Sequence, residues 1–171
     1  DADVVNLELT ADVLDSARHF AADAEQDFID PTEKPGLIGA FCQAYSIEEV
    51  IDRWLPDVFE FRADSERRLN FLKGGGSPGG VFVDDSREYV INMHNSDPLK
   101  GRSANKWDLV RTYCFEHLDI GKDPFELMSI ATRPSQIAMT EMVSALPEVS
   151  RLVASKKVEK AKDWQSQLAL A

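Results

Sequence analysis

The sequence predicts an α+β domain: a small antiparallel sheet with flanking helices and a helical C-terminal extension. Three observations carry that expectation. Residues 80–84 and 88–92 are runs rich in Val, Phe, Tyr and Ile around an Asp85-Ser86-Arg87 turn, the pattern of a β-hairpin. Residues 46–55 open on a helix-capping signal and carry an apolar stripe. From Ser103 onward, helical patterns punctuated by prolines fill the rest of the chain.

The elements follow in order. Val13, Leu14, Ala17, Phe20, Ala21, Ala24 and Phe28 fall at helical spacing, with Thr10 as N-cap, so a helix is expected over 11–29. Its acidic outer face is either a solvated surface or a lure for a partner. Asp30 to Gly36 holds two prolines and a glycine and reads as a linker. Gly39 to Tyr45 reads as a short helical turn. In Ser46-Ile47-Glu48-Glu49 the Ser46 hydroxyl can serve the Glu49 amide while Glu49 reaches back to Ser46, a capping box. Ile47, Val50, Ile51, Trp54 and Leu55 then form a core stripe that Pro56 ends.

Val58–Arg62 and Arg68–Leu72 read as short strands. The glycine-rich stretch from Lys73 to Gly80 lacks the Gly-Lys-Ser/Thr ending and following helix of a P-loop, so it reads as a flexible connection between strands. A polar turn from His94 to Gly101 closes the hairpin region. Ser103 is expected to cap a helix over 104–118 with Trp107, Val110, Cys114 and Leu118 on one face. Asp123-Pro124 is expected to begin a short helix, and Pro134-Ser135 another with Ala138, Met142 and Ala145 as its stripe. Pro147 separates that from a last helix over 148–167, basic around Lys156, Lys157, Lys160 and Lys162.

The 171 residues, 43% hydrophobic and 29% charged, suit one globular domain with helical extensions. No apolar run is long enough for a membrane span, and the acidic start shows no signal peptide. The chain opens Asp1-Ala2-Asp3 rather than on Met, so a piece of something longer is expected. Cys42 and Cys114 are too few for a disulfide framework and sit among apolar residues, which points to buried thiols and a reducing, intracellular compartment. The net charge of −11 is unevenly spread. Residues 1–61 hold 3 basic and 15 acidic residues, whereas 62–111 hold 9 basic and 7 acidic. The middle segment is therefore where a basic surface is expected.

His94 with Asp97 suggests a metal or acid–base pair. The absence of an accompanying carboxylate, serine or cysteine partner favours a structural turn in which Asp97 caps amides before Pro98. His19 and His117 read as surface or helix-end residues. Arg67, Arg68, Lys73, Lys100, Arg102, Lys106 and Arg111 bracket the glycine loop and the polar turn. Basic residues beside exposed aromatics suit single-stranded nucleic acid, by phosphate neutralisation and base stacking. Ordinary solvated charges remain the alternative.

Residues 36–118 carry two resemblances. Gly36-Leu37-Ile38-Gly39-Ala40-Phe41-Cys42 with Tyr45 to Ile51, the His94-Asn95-Ser96-Asp97-Pro98 turn, Gly101, and Asn105-Lys106-Trp107-Asp108-Leu109-Val110-Arg111 together resemble a segment of phage and plasmid primase–helicases of the virulence-associated E type. The usual form there is Asn-Ala-Phe-Asp-Leu-Val-Arg, and this chain departs from it at Lys106-Trp107. Asp163 to Leu168 is similar to the approach to the helicase part. More remotely, the order of the Ile47–Leu55 helix, Leu72-Lys73-Gly74, Ser77 to Val81, Met93-His94 and Trp107-Asp108-Leu109 resembles a bacterial primase zinc ribbon. Where that ribbon has cysteines, this chain has Leu72 and polar or glycine residues, so a degenerate, zinc-free ribbon is expected, with an aromatic core of Trp54, Phe59, Phe61, Phe71, Phe82, Tyr89 and Trp107 in place of the metal.

The resemblance implies three parts: an acidic helix and linker over 1–35, a ribbon-like α+β domain over 36–120, and a helical extension over 121–171. It implies no catalytic residue, metal or cofactor in this chain, within a parent that is a DNA primase–helicase of the bacterial cytoplasm. Arg68, Lys73, Ser77, His94, Lys100, Arg102, Asn105, Lys106 and Arg111 are the expected nucleic-acid contacts. The partners implied are single-stranded DNA and the adjacent primase and helicase domains, with a homo-oligomer left open. A docking or linker module without nucleic-acid binding is the alternative.

Overall fold

The computed structural model describes residues 30–73, 80–94, 97–124 and 126–169. The helix expected over 11–29, with His19, lies outside the described residues, as do Ser77 and the Asn95-Ser96 pair. Pro31 to Ala171 forms one compact unit.

A five-stranded antiparallel sheet runs in chain order, β1 (Phe59–Phe61), β2 (Arg68–Phe71), β3 (Val81–Val83), β4 (Tyr89–Asn92) and β5 (Ser103–Asn105). Helices α1 (Gly36–Ala44) and α2 (Ile47–Trp54) precede it. Helix α3 (Lys106–Val110) follows, continuing through a π-helical turn, Arg111–Phe115, and a 3-10 turn, Glu116–Asp119. Helices α4 (Pro134–Ser144) and α5 (Pro147–Ala169) complete the chain. The architecture is α+β.

Local chemistry sets these elements. Ser46 accepts from the Glu49 amide at 3.2 Å, and Glu49 accepts from the Ser46 amide at 2.7 Å, which satisfies two amides that the first turn of α2 leaves free. In the β3–β4 turn the Asp84 carboxylate accepts from the amides of Ser86 and Tyr89 and from the Ser86 hydroxyl. Arg87 there adopts a φ of 60°, and its guanidinium pairs with Glu48, which ties the hairpin to α2. Residues 31–35 are no free linker. A Cβ on Gly39 would lie 1.8 Å from the Lys34 carbonyl oxygen, so the segment lies directly on α1.

Register settles the two faces of the sheet. Phe59, Leu69, Val81, Val83, Val90 and Ala104 point inward and are buried. Against them lie Phe41, Val50, Ile51, Leu109, Met139, Val143 and Val149 from the helices. Phe41, Trp54 and Tyr45 cluster at ring separations of 5.1–5.4 Å, and Trp107 meets Phe41 edge-on at 6.1 Å. Helix α1 packs on α3, α4 and α5. The first turns of α5 belong to the core, whereas its later turns are exposed.

The structure corrects several expectations. The helix expected over 104–118 begins as strand β5, paired with β4, and its cap is Asn105, whose side chain accepts from the Asp108 amide at 3.0 Å. Asp123-Pro124 opens only a turn, in which the Glu126 and Leu127 amides share the Asp123 carbonyl. The inward stripe of α4 is Ser135, Met139 and Val143 rather than Ala138, Met142 and Ala145; Ser135 is buried with its hydroxyl donating to Asp119 at 2.7 Å, and Met142 is only partly buried. Of the seven aromatics expected as core, Phe59 and Trp107 are buried, and Phe82 and Tyr89 lie on the opposite face of the sheet.

Candidate nucleic-acid interface

The β4–β5 connection forms a tip at one end of the sheet, and its frame is a hydrogen-bond knot. Asp97, 5% exposed, accepts from the Asn92 side-chain amide at 2.7 Å, the Leu99 amide at 2.6 Å and the Tyr113 hydroxyl at 2.5 Å. Asn92 in turn accepts from the His94 amide at 2.9 Å. Burial, with the Asp97 carboxylate next in effect, pushes the Tyr113 phenol far above its ordinary value, so Tyr113 acts as a donor throughout the usual pH range. Its ring meets Phe59 edge-on at 5.1 Å, which fastens the tip to the core. Tyr113 reaches this position from the π-helical turn, where the extra residue re-aims the helix. The reading of Asp97 as an amide-capping residue matches the bond to Leu99.

The nine expected contact residues divide. Lys73, Lys100 and Arg102 are exposed at the tip end of the sheet. Lys73 follows Phe71, whose ring lies 5.5 Å from that of His94, so it leaves the sheet beside the tip. Lys100 pairs across to Asn92, and the Gly101 amide donates to the Asn92 carbonyl at 2.7 Å. Arg68 is exposed on the outer face of the sheet.

Four others are turned to structural work or lie outside the described residues. Lys106 is 3% exposed; its ammonium donates to the Cys42 carbonyl at 2.8 Å and pairs with Glu88 at 2.9 Å. A phosphate has no access to it. Asn105, 4% exposed, is spent on capping α3. Arg111 is held among the helices, where it donates to the Ser135 hydroxyl at 3.2 Å. Ser77 lies outside the described residues. His94 is intermediate: its Nε2 is buried, and a Cβ on Gly80 would come within 2.8 Å of it. Its ring packs, tilted, against Phe71, and its Nε2 is turned away from solvent.

Local charge follows the same division. Over residues 68–83 and 89–107 the sequence holds one acidic residue, Asp97, beside Arg68, Lys73, Lys100, Arg102 and Lys106. Asp97 is consumed in the knot. Within those two segments the exposed charge is thus positive, with the exposed Asp57 before β1 at the same end of the sheet. Cys42 is buried and free, its thiol pushed up to about 11 by burial, and Cys114 is half-buried and also raised.

What sequence reasoning missed is the outward set on the sheet, Phe82, Tyr89 and Ile91. Alternation along β3 and β4 makes the parity legible, but both parities are apolar, so the pattern does not say which faces the core. No family model matches the chain, and neither the curated proteins nor the solved structures provide a match.

Proposed function

We propose that this chain is a non-catalytic domain of a phage or mobile-element DNA primase–helicase, working in the cytoplasm of a bacterial host, and that it engages single-stranded template DNA at the tip end of its sheet. The observation that carries this reading is that Lys73, Lys100 and Arg102, all exposed, lie on the β2–β3 and β4–β5 connections at one end of the sheet, where Asp97 is buried. Such cations neutralise phosphates and release counterions. The resemblance to the virulence-associated E type supplies the replicative context, and its motif residues are divided among α1, α2, the β4–β5 connection and α3.

The test is fluorescence anisotropy of a labelled oligo(dT) of about 20 nucleotides, long enough for a site of ~4–16 nucleotides. The Lys73→Ala/Lys100→Ala/Arg102→Ala variant should bind about tenfold more weakly or worse at low salt. Unchanged affinity would sink the reading.

The second reading, a module that docks neighbouring domains or subunits, is favoured by one observation. The later turns of α5 expose Val158, Trp164 and Leu168 at 55%, 63% and 65%. Under that reading, Trp164→Ala weakens association of the domain within its longer parent while oligo(dT) binding stays absent in wild type.

A further inference from the structure

The outer face of the sheet carries a row that the core does not use. The register places Arg68 beside Phe82, Phe82 beside Ile91, and Ile91 beside Ser103, one residue from each of β2 to β5. Phe82 and Ile91 are each half-buried, on the side opposite Val81, Val83 and Val90. A solvent-side row of this kind is ordinarily polar in an antiparallel sheet with one covered face.

A second observation falls at the same place. Arg67, Arg68 and Phe82 line one shallow hollow of about 380 Å³ with Ser65 and Val83. Arg67 is fixed there: its Nε and Nη2 donate to the Val83 carbonyl at 3.1 and 2.9 Å, and its Nη1 pairs with the exposed Asp85. With Arg67 engaged by Val83 and Asp85, an aromatic side chain bordered by the exposed Arg68 matches the two halves of a nucleotide, a flat base and an anionic phosphate.

Geometry also limits what would lie there. Tyr89 is the diagonal neighbour of Phe82 on β4, a separation of about 7–8 Å in antiparallel sheets. That is about twice the ~3.4 Å per-nucleotide rise of a stacked strand. A spacing of positions of that order suits successive bases of a stretched single strand better than stacked ones. Charge favours the same occupant: the row runs from Arg68 toward the edge strand, near the exposed Arg102 and Lys100 that precede Ser103.

We propose that the outer sheet face, centred on the hollow between Arg67, Arg68 and Phe82, is a base-stacking platform for single-stranded nucleic acid, with a base on Phe82 and a phosphate at Arg68. This deepens the function proposed above and rests on it. The tip supplies long-range attraction, and the platform supplies contacts that need the bases.

The experiment measures the full chain against two probes of equal length, oligo(dT) and an abasic oligonucleotide that keeps the phosphates. Phe82→Leu should weaken oligo(dT) binding about 5- to 100-fold. It should leave abasic binding and the salt slope as in wild type. Arg68→Ala should instead reduce the salt slope by about 0.7, one phosphate contact. Leucine keeps an apolar side chain at a half-buried position, and an unchanged thermal midpoint confirms that the variant folds. If wild type binds both probes equally, or Phe82→Leu binds oligo(dT) as wild type does, the platform is overturned while the tip reading stands. If Phe82→Leu changes self-association but not oligo(dT) binding, the face seats protein and the platform is likewise overturned. If wild type binds neither probe, the nucleic-acid reading itself fails.

Discussion

Lys106 shows how a residue's surroundings can override its chemistry. In the sequence it is one more cation beside the polar turn, yet its ammonium lies under the sheet between the Cys42 carbonyl and Glu88. Nothing in the local pattern marks that, because burial of a lysine depends on a partner 18 residues away. Removing one member of such a pair strands the other. Lys106→Met should cost about 2–4 kcal/mol in urea unfolding, and adding Glu88→Gln should restore part of the loss. Neither change should alter the salt slope of oligonucleotide binding. Cys42 offers a pH signature. Its thiol is raised from 9.0 to about 11, so the folded chain favours the neutral form more than the unfolded chain does. The stability it adds is complete below pH 9 and is lost as pH rises from about 9 toward 11. Between pH 8 and about pH 11, wild type should lose roughly 1–3 kcal/mol more than Cys42→Ala, read from denaturant midpoints at each pH.

At the scale of elements, legibility followed the strength of local rules. The capping box of α2 was readable because both of its hydrogen bonds lie within four residues. Ser46→Ala should cost about 1 kcal/mol, measured by thermal unfolding. Strand β5 was not readable: three residues, Ser103 to Asn105, become a strand only through pairing with β4, and their Ser and Asn also suit a cap. The π-helical turn was invisible for the same reason, since its register serves Tyr113 and the distant Asp97. The stretch expected as a linker before α1 lies against that helix through a close approach. Gly39 lets the Lys34 and Thr32 carbonyls come against the helix, where a Cβ would stand 1.8 and 3.0 Å away. Gly39→Ala should therefore destabilise the fold by about 1–3 kcal/mol or more, visible as a lowered unfolding midpoint at unchanged m-value.

For the whole molecule, composition indicated an acidic chain and its segment balance pointed to a basic middle. The fold refines that balance into a place: of the cations in the middle segment, Lys73, Lys100 and Arg102 reach the surface at one end of the sheet, while Lys106 is buried and Arg111 is partly buried against Ser135. The fold class was legible because the hairpin and the helical stripes obey their own periods. The outward aromatics were not, because two apolar faces leave the sheet's orientation undetermined. The central claim is that single-stranded DNA is held by a few phosphate contacts at the tip of an otherwise acidic protein. Its most direct measurement is the affinity of the full chain for oligo(dT) across about 50 to 200 mM salt. The three tip contacts predict a share of about −2 in the slope of log K against log salt, a share that the Lys73→Ala/Lys100→Ala/Arg102→Ala variant should lose. A wild-type slope near zero, or one that the triple substitution leaves unchanged, would contradict it.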